Sequence, residues 1–215
     1  MPFTVEQFFE VFRQYNHTLW PVQLLLYAPA LAALAAIGRR RGGAGRVVSA
    51  SLAVLWLWMG AVYHFGFFRS INPAANLFAA LCVAGAGLFF WHGVVRDRLN
   101  FAWPAGARGW AAAALIAYAL LVYPAIGFMA GHDYWESPSF GTPCPTTLFT
   151  LGVLMLAVRP VPAAVLVAPV LWALIGTFAA LSLNVPQDFG LALAAALLIA
   201  AMHRPRKDSG GEHRP

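Results

Sequence analysis

Val47–Phe68 reads VVSASLAVLWLWMGAVYHFGFF, an unbroken run without Lys, Arg, Asp or Glu, closed by Arg46 on one side and Arg69 on the other. A bilayer core about 30 Å thick takes roughly 20 apolar residues of helix to cross, so the run has the length and composition of a membrane span. Six more stretches read the same way: Leu19–Ile37, Pro73–Val95, Gly109–Ala130, Thr146–Val158, Pro162–Leu183 and Gln187–Met202. Together they predict an all-α membrane protein with seven transmembrane helices over 18–203. The whole chain agrees, since 60% of its 215 residues are apolar and only 10% charged, too little charge to cover a soluble domain of that size.

Charge orders the spans. Twelve of the 14 Lys and Arg residues follow spans 1, 3, 5 and 7, whereas only Arg13 and Arg69 share the opposite side with Glu6, Glu10, Asp133, Glu136 and Asp188. Basic residues collect on the cytoplasmic face, so the N-terminus is expected outside and the C-terminus inside. The basic residues sit in short juxtamembrane loops, with the pattern of topology signals and lipid contacts, so no nucleic-acid partner is expected. Residues 204–215 read as a disordered cytoplasmic tail.

Before the first span, Thr4 and Gln7 form a capping-box pattern, and Val5, Phe8, Phe9, Phe12 and Tyr15 recur at helical spacing opposite Glu6, Glu10, Arg13 and Gln14. Residues 1–17 are therefore expected as an amphipathic helix lying in the outer interface. A weak internal match aligns Pro21 with Pro145 and Pro73 with Pro186, suggesting a 3+1+3 parallel repeat of the kind found in some small transporters.

Polar residues gather at the outer helix ends. Asn16, Gln23, His64, Asn72, Thr142, Cys144, Thr146 and Asp188 are the candidate ligand-binding set, facing a pocket open to the periplasm. His64 stands out because an ionisable group in an apolar span is costly unless paired or hydrated. Asp188, in the first turn of the last span, suits helix capping as well as ligand contact. Span 5 is short, and Gly141, Pro143 and Pro145 just before it predict irregular backbone dipping inward from the outer side. His64, His132 and Cys144 are the candidate metal ligands, although no two have the spacing of a ligand motif. The expected function is that of a permease-like or ligand-binding protein for a small polar solute or metal ion. The alternatives are a membrane-embedded metal-dependent hydrolase or thiol oxidoreductase using His64, His132, Asp133, Glu136 and Cys144, and an accessory subunit packing against other helices. No cofactor is indicated; retinal is excluded because the sole Lys, Lys207, lies outside the spans.

The segments YNHTLWPVQ, YHFGFFRSINPAANLF, FGTPCPTTLFTLG and PVLWALIGTFAALSLNVPQDFGL resemble a bacterial family of small multi-pass membrane proteins defined by a domain of unknown function. The resemblance spans nearly the whole chain. It implies an inner-membrane protein and carries no activity or assigned site.

Overall fold

The computed structural model describes residues 2–39, 42–129, 135–158, 160–183 and 185–203. They form helices α1 (Val5–Leu19), α2 (Val22–Arg39), α3 (Ala44–Ser70), α4 (Ala75–Val95), α5 (Ala107–Ile126), α6 (Pro143–Leu154), α7 (Ala163–Leu183) and α8 (Gln187–Met202). Among the described residues there is no strand, only isolated bridges pairing Phe101 with Ala157 and Phe140 with Thr142. Five helices, α2, α3, α4, α5 and α7, are long and apolar enough to cross a membrane, while α6 and α8 are shorter apolar helices. Leu77, Trp110, Leu121 and Leu181 stand exposed on their outer faces, the surface of a multi-pass membrane protein whose solvent is lipid.

The packing puts α6 at the centre, against α3, α5, α7 and α8, while α2, α3, α4 and α7 follow one another around it. From Pro145 to Leu154 every residue of α6 is buried. Lipid supplies no hydrophobic drive between helices, so close approach rests on small side chains. At Gly85 of α4 an added Cβ would lie 2.9 Å from the Cβ of Ala168 on α7 and 3.0 Å from the Trp56 ring on α3. At Gly87, by contrast, nothing lies within 4 Å of an added Cβ. The two proposed repeat halves also pack differently: α6 touches both α7 and α8, whereas α2 packs mainly on α3.

Two readings of span 5 are corrected. Its helix starts three residues earlier than predicted, because Pro143 fits the first helical turn, where its missing N–H costs nothing, after Gly141 at φ 101°. It also ends early, at Leu154, so irregular backbone follows its C-terminal end. There Ala102 N donates to Leu156 O (3.0 Å) and Val158 N to Asn100 O (2.8 Å). Arg108 completes this end, with Nε donating to Met155 O (2.6 Å) and Nη2 to Ala157 O (2.7 Å). The carbonyls of Met155, Leu156 and Ala157, just beyond α6, are thus met inside the protein.

The α1 capping box forms, with Gln7 N donating to Thr4 Oγ1 (3.2 Å) and Thr4 N to Gln7 Oε1 (2.8 Å). Its apolar face is turned onto protein and not only toward lipid. Val11, Phe12 and Tyr15 are buried; Phe12 stacks on Tyr63 (5.6 Å) and Tyr15 meets Tyr63 (5.6 Å) and Phe67 (5.4 Å) on α3. Trp58 Nε1 donates to Tyr15 Oη at 2.7 Å, and burial holds the Tyr15 phenol above its ordinary range, so it stays neutral.

Candidate functional site

Beneath α1 lies a cavity of about 200 Å³. Phe3, Phe8 and Phe12 cover it from the α1 side, and α3, α4, α5 and α7 wall it together with the first turns of α6 and α8. The walls are predominantly apolar, with a few polar groups converging on them, the usual build of a small-molecule site.

His64 lies on a stretch of α3, Met59–Phe67, wound as π-helix, a local widening that often accompanies functional positions. The winding leaves neighbouring Tyr63 and His64 both buried. The imidazole is fully buried among rings, with centroids 4.7 Å from Trp172, 5.7 Å from Phe78 and 5.9 Å from Phe68. Neither His64 nitrogen has a hydrogen-bond partner among the described residues, nor has Trp172 Nε1. Buried polar atoms are rarely left so, and the exceptions need a reason.

Asp188 faces His64's side of the bundle from the start of α8. It stands in the first turn, as the sequence places it, within the 3₁₀ turn Pro186–Phe189, where no side-chain cap bond forms. The carboxylate accepts a hydrogen bond from the Tyr123 hydroxyl, and Cys144 at the start of α6 lines the same cavity. A neighbouring anchor, Tyr118 Oη donating to Gln187 O (2.8 Å), fixes the same turn against α5.

Five of the eight sequence candidates therefore line one cavity: His64, Asn72, Thr142, Cys144 and Asp188. Three do not. Asn16 is buried and its amide is spent on the segment before α6, with Nδ2 donating to Trp135 O (2.8 Å) and Ser137 O (2.9 Å) while Oδ1 accepts from Ser139 Oγ (3.0 Å). Gln23 is buried at the start of α2, and Thr146 one turn below the cavity in α6, neither on its wall. Thr142 itself donates to Ser139 O (2.7 Å), so its hydroxyl shapes the loop. Tyr123, Trp172 and the Phe3, Phe8 and Phe12 cover were not among the sequence candidates. The signal for Trp172 was its place in mid-span, away from the interfacial aromatic belts; Tyr123 gave none.

Of the metal candidates, His132 lies outside the described residues, as does Asp133. Among the described residues no three His, Cys, Asp or Glu side chains come together to hold a metal ion. Glu136 instead pairs with Arg13 on α1 (3.5 Å), away from the cavity. Cys82 and Cys144 are both free thiols, and Cys82 is off the cavity wall.

No curated protein and no solved structure matches the chain. A family model described as a family of unknown function (DUF6064) matches residues 5–210, nearly the whole length and every element around the cavity. The chain belongs to that family, DUF6064.

Proposed function

We propose that this chain is a seven-helix inner-membrane protein, N-terminus outside and C-terminus inside, that binds a small solute of mixed apolar and polar character in the cavity beneath α1, as a permease or solute-binding protein does. The observation that carries the reading is convergence. His64, Asn72, Cys144, Trp172 and Asp188 come from well-separated stretches of chain and meet on one apolar chamber, where both His64 nitrogens and the Trp172 indole N–H have no hydrogen-bond partner among the described residues. The count of seven is supported by α6 and α8, which are apolar, and by the bonded turn that continues α6 beyond Leu154. The orientation is supported by the basic residues gathered after spans 1, 3, 5 and 7. An organic solute is favoured over a metal ion because the polar groups are few and the walls aromatic.

Cys144 provides the test, since it lies on the cavity wall while Cys82 is buried elsewhere. Protein in nanodiscs is alkylated with maleimide in the presence of a panel of small amines, alcohols, carboxylates and aromatics. At least one class is expected to slow modification of Cys144, and a panel without effect refutes the reading. Reporters fused after residue 203 are expected to be active only on the cytoplasmic side; activity on the outer side refutes the orientation.

A further inference from the structure

We infer that the ligand of this cavity is an organic ammonium cation, held between the Asp188 carboxylate and the aromatic corner of Phe78 and Trp172. The inference rests on the binding-site reading above and names the chemical class it takes.

Charge comes first. Asp188 is 3% exposed, lines the cavity and accepts a hydrogen bond from the Tyr123 hydroxyl. Among the described residues no Lys or Arg lines the cavity, and the ion pairs lie elsewhere, at Glu10–Arg13, Arg13–Glu136 and Arg46–Asp97. A carboxylate in a membrane interior without a cationic partner is costly, and a bound cation offsets that cost.

The walls select which cation. Phe78 and Trp172 meet at 81° with centroids 5.3 Å apart, and His64 meets Trp172 at 60°, so the rings form the sides of a corner and not a closed stack. Ring faces carry partial negative charge and attract weakly hydrated organic cations. A hard metal ion needs a shell of oxygen donors, which this corner does not offer. The partnerless imidazole of His64 adds a lone pair for an ammonium N–H, and the partnerless indole N–H of Trp172 suits an oxygen elsewhere on the same solute.

The test uses the full chain in nanodiscs of phosphatidylglycerol, which has no amine in its headgroup. Choline, the primary amine 3,3-dimethylbutylamine, the neutral choline isostere 3,3-dimethylbutan-1-ol and the anion 3,3-dimethylbutyrate are titrated calorimetrically. At least one cation is expected to bind about thirtyfold or more tighter than the neutral isostere, the worth of a desolvated cation–π contact. Asp188→Asn and Trp172→Leu are expected to abolish that preference, and Asp188→Glu and Trp172→Phe to retain most of it. Each variant is checked for an unchanged melting temperature, and Trp172→Leu carries the test if Asp188→Asn fails to fold. Doping the discs with phosphatidylethanolamine separates sources: competition assigns the ammonium to a lipid headgroup, no competition to a free solute, and both accord with the inference. Equal or tighter binding of the alcohol or the anion overturns the cation inference and leaves the cavity reading standing. Cation binding that neither variant changes also overturns it. Failure of all four probes, together with an inert panel in the Cys144 protection assay, overturns both.

Discussion

Replacing Phe12 by Ala is expected to open the cavity. Phe12 is 4% exposed, its ring 4.9 Å from Phe8 and 5.6 Å from Tyr63, and it lines the cavity beneath α1. Truncating a buried Phe costs about 3–5 kcal/mol, and the loss falls on whatever equilibrium separates the ring from its contacts. The second half of α1 stays tied down through Tyr15 to Trp58 and through Asn16 to the segment before α6, so the cost falls on undocking of the first half. Taking about 3 kcal/mol at about 1.4 kcal/mol per decade, the undocked population rises about 150-fold. When opening is fast, modification of a covered group follows the open population. The maleimide labelling rate of Cys144 in detergent-solubilised protein should therefore rise by about two orders of magnitude. A Cys144→Ser variant measures the background from Cys82, and Gln14→Ala, on the exposed face of α1, should leave the rate unchanged. A rise of less than about threefold, below ~1 kcal/mol, refutes α1 as the cover of this cavity.

Three further perturbations probe the frame that holds the site. Thr150→Val removes the acceptor of Trp56 Nε1 (3.0 Å) in the core of α6 and should lower stability by about 1–3 kcal/mol, read as a lowered melting temperature in detergent. Arg108→Ala strips two charge-assisted bonds from the C-terminal end of α6 and should cost about 3 kcal/mol or more, read in the same way, with Arg108→Lys recovering only part because a point charge cannot fork to two carbonyls. Asn16→Ala releases three hydrogen bonds to residues 135–139 and should speed hydrogen exchange there by at least about tenfold, while α3 and α4 keep their protection.

The long helices were legible because the bilayer imposes one rule on each separately: a charge-free run of sufficient length must be helical. Val47–Phe68 needs no neighbour to be read, and α3 covers it. The ends of α6 were not legible in that way. Where the helix stops depends on Arg108 and on residues 100–102, which come from a loop some fifty positions earlier, and no local pattern in FTLGVLMLAV announces them. The aromatic face of α1 shows the same limit. A stripe of Phe and Tyr at helical spacing suits lipid and protein equally, and the choice was made by Tyr63, Phe67 and Phe68 at the far end of α3.

The site was half legible for a related reason. Sequence marks the residues that a membrane tolerates badly, and His64, Cys144, Asn72 and Asp188 were all found that way. It does not mark which of them the fold satisfies by itself. Asn16 and His64 look alike as buried polar groups near a helix end, yet Asn16 spends its amide on three loop partners and His64 finds none. Asp188 stands in a first helical turn, as the sequence reads, and it also accepts from Tyr123, a residue with no reason to attract notice in an apolar span. What separates a structural polar residue from a binding one in this bundle is the remaining hydrogen-bonding capacity, a property of the packed helices and not of any one of them. By that criterion His64 and Trp172 mark the site on the cavity wall, and their substitutions should alter ligand binding more than stability, while that of Asn16 should do the reverse.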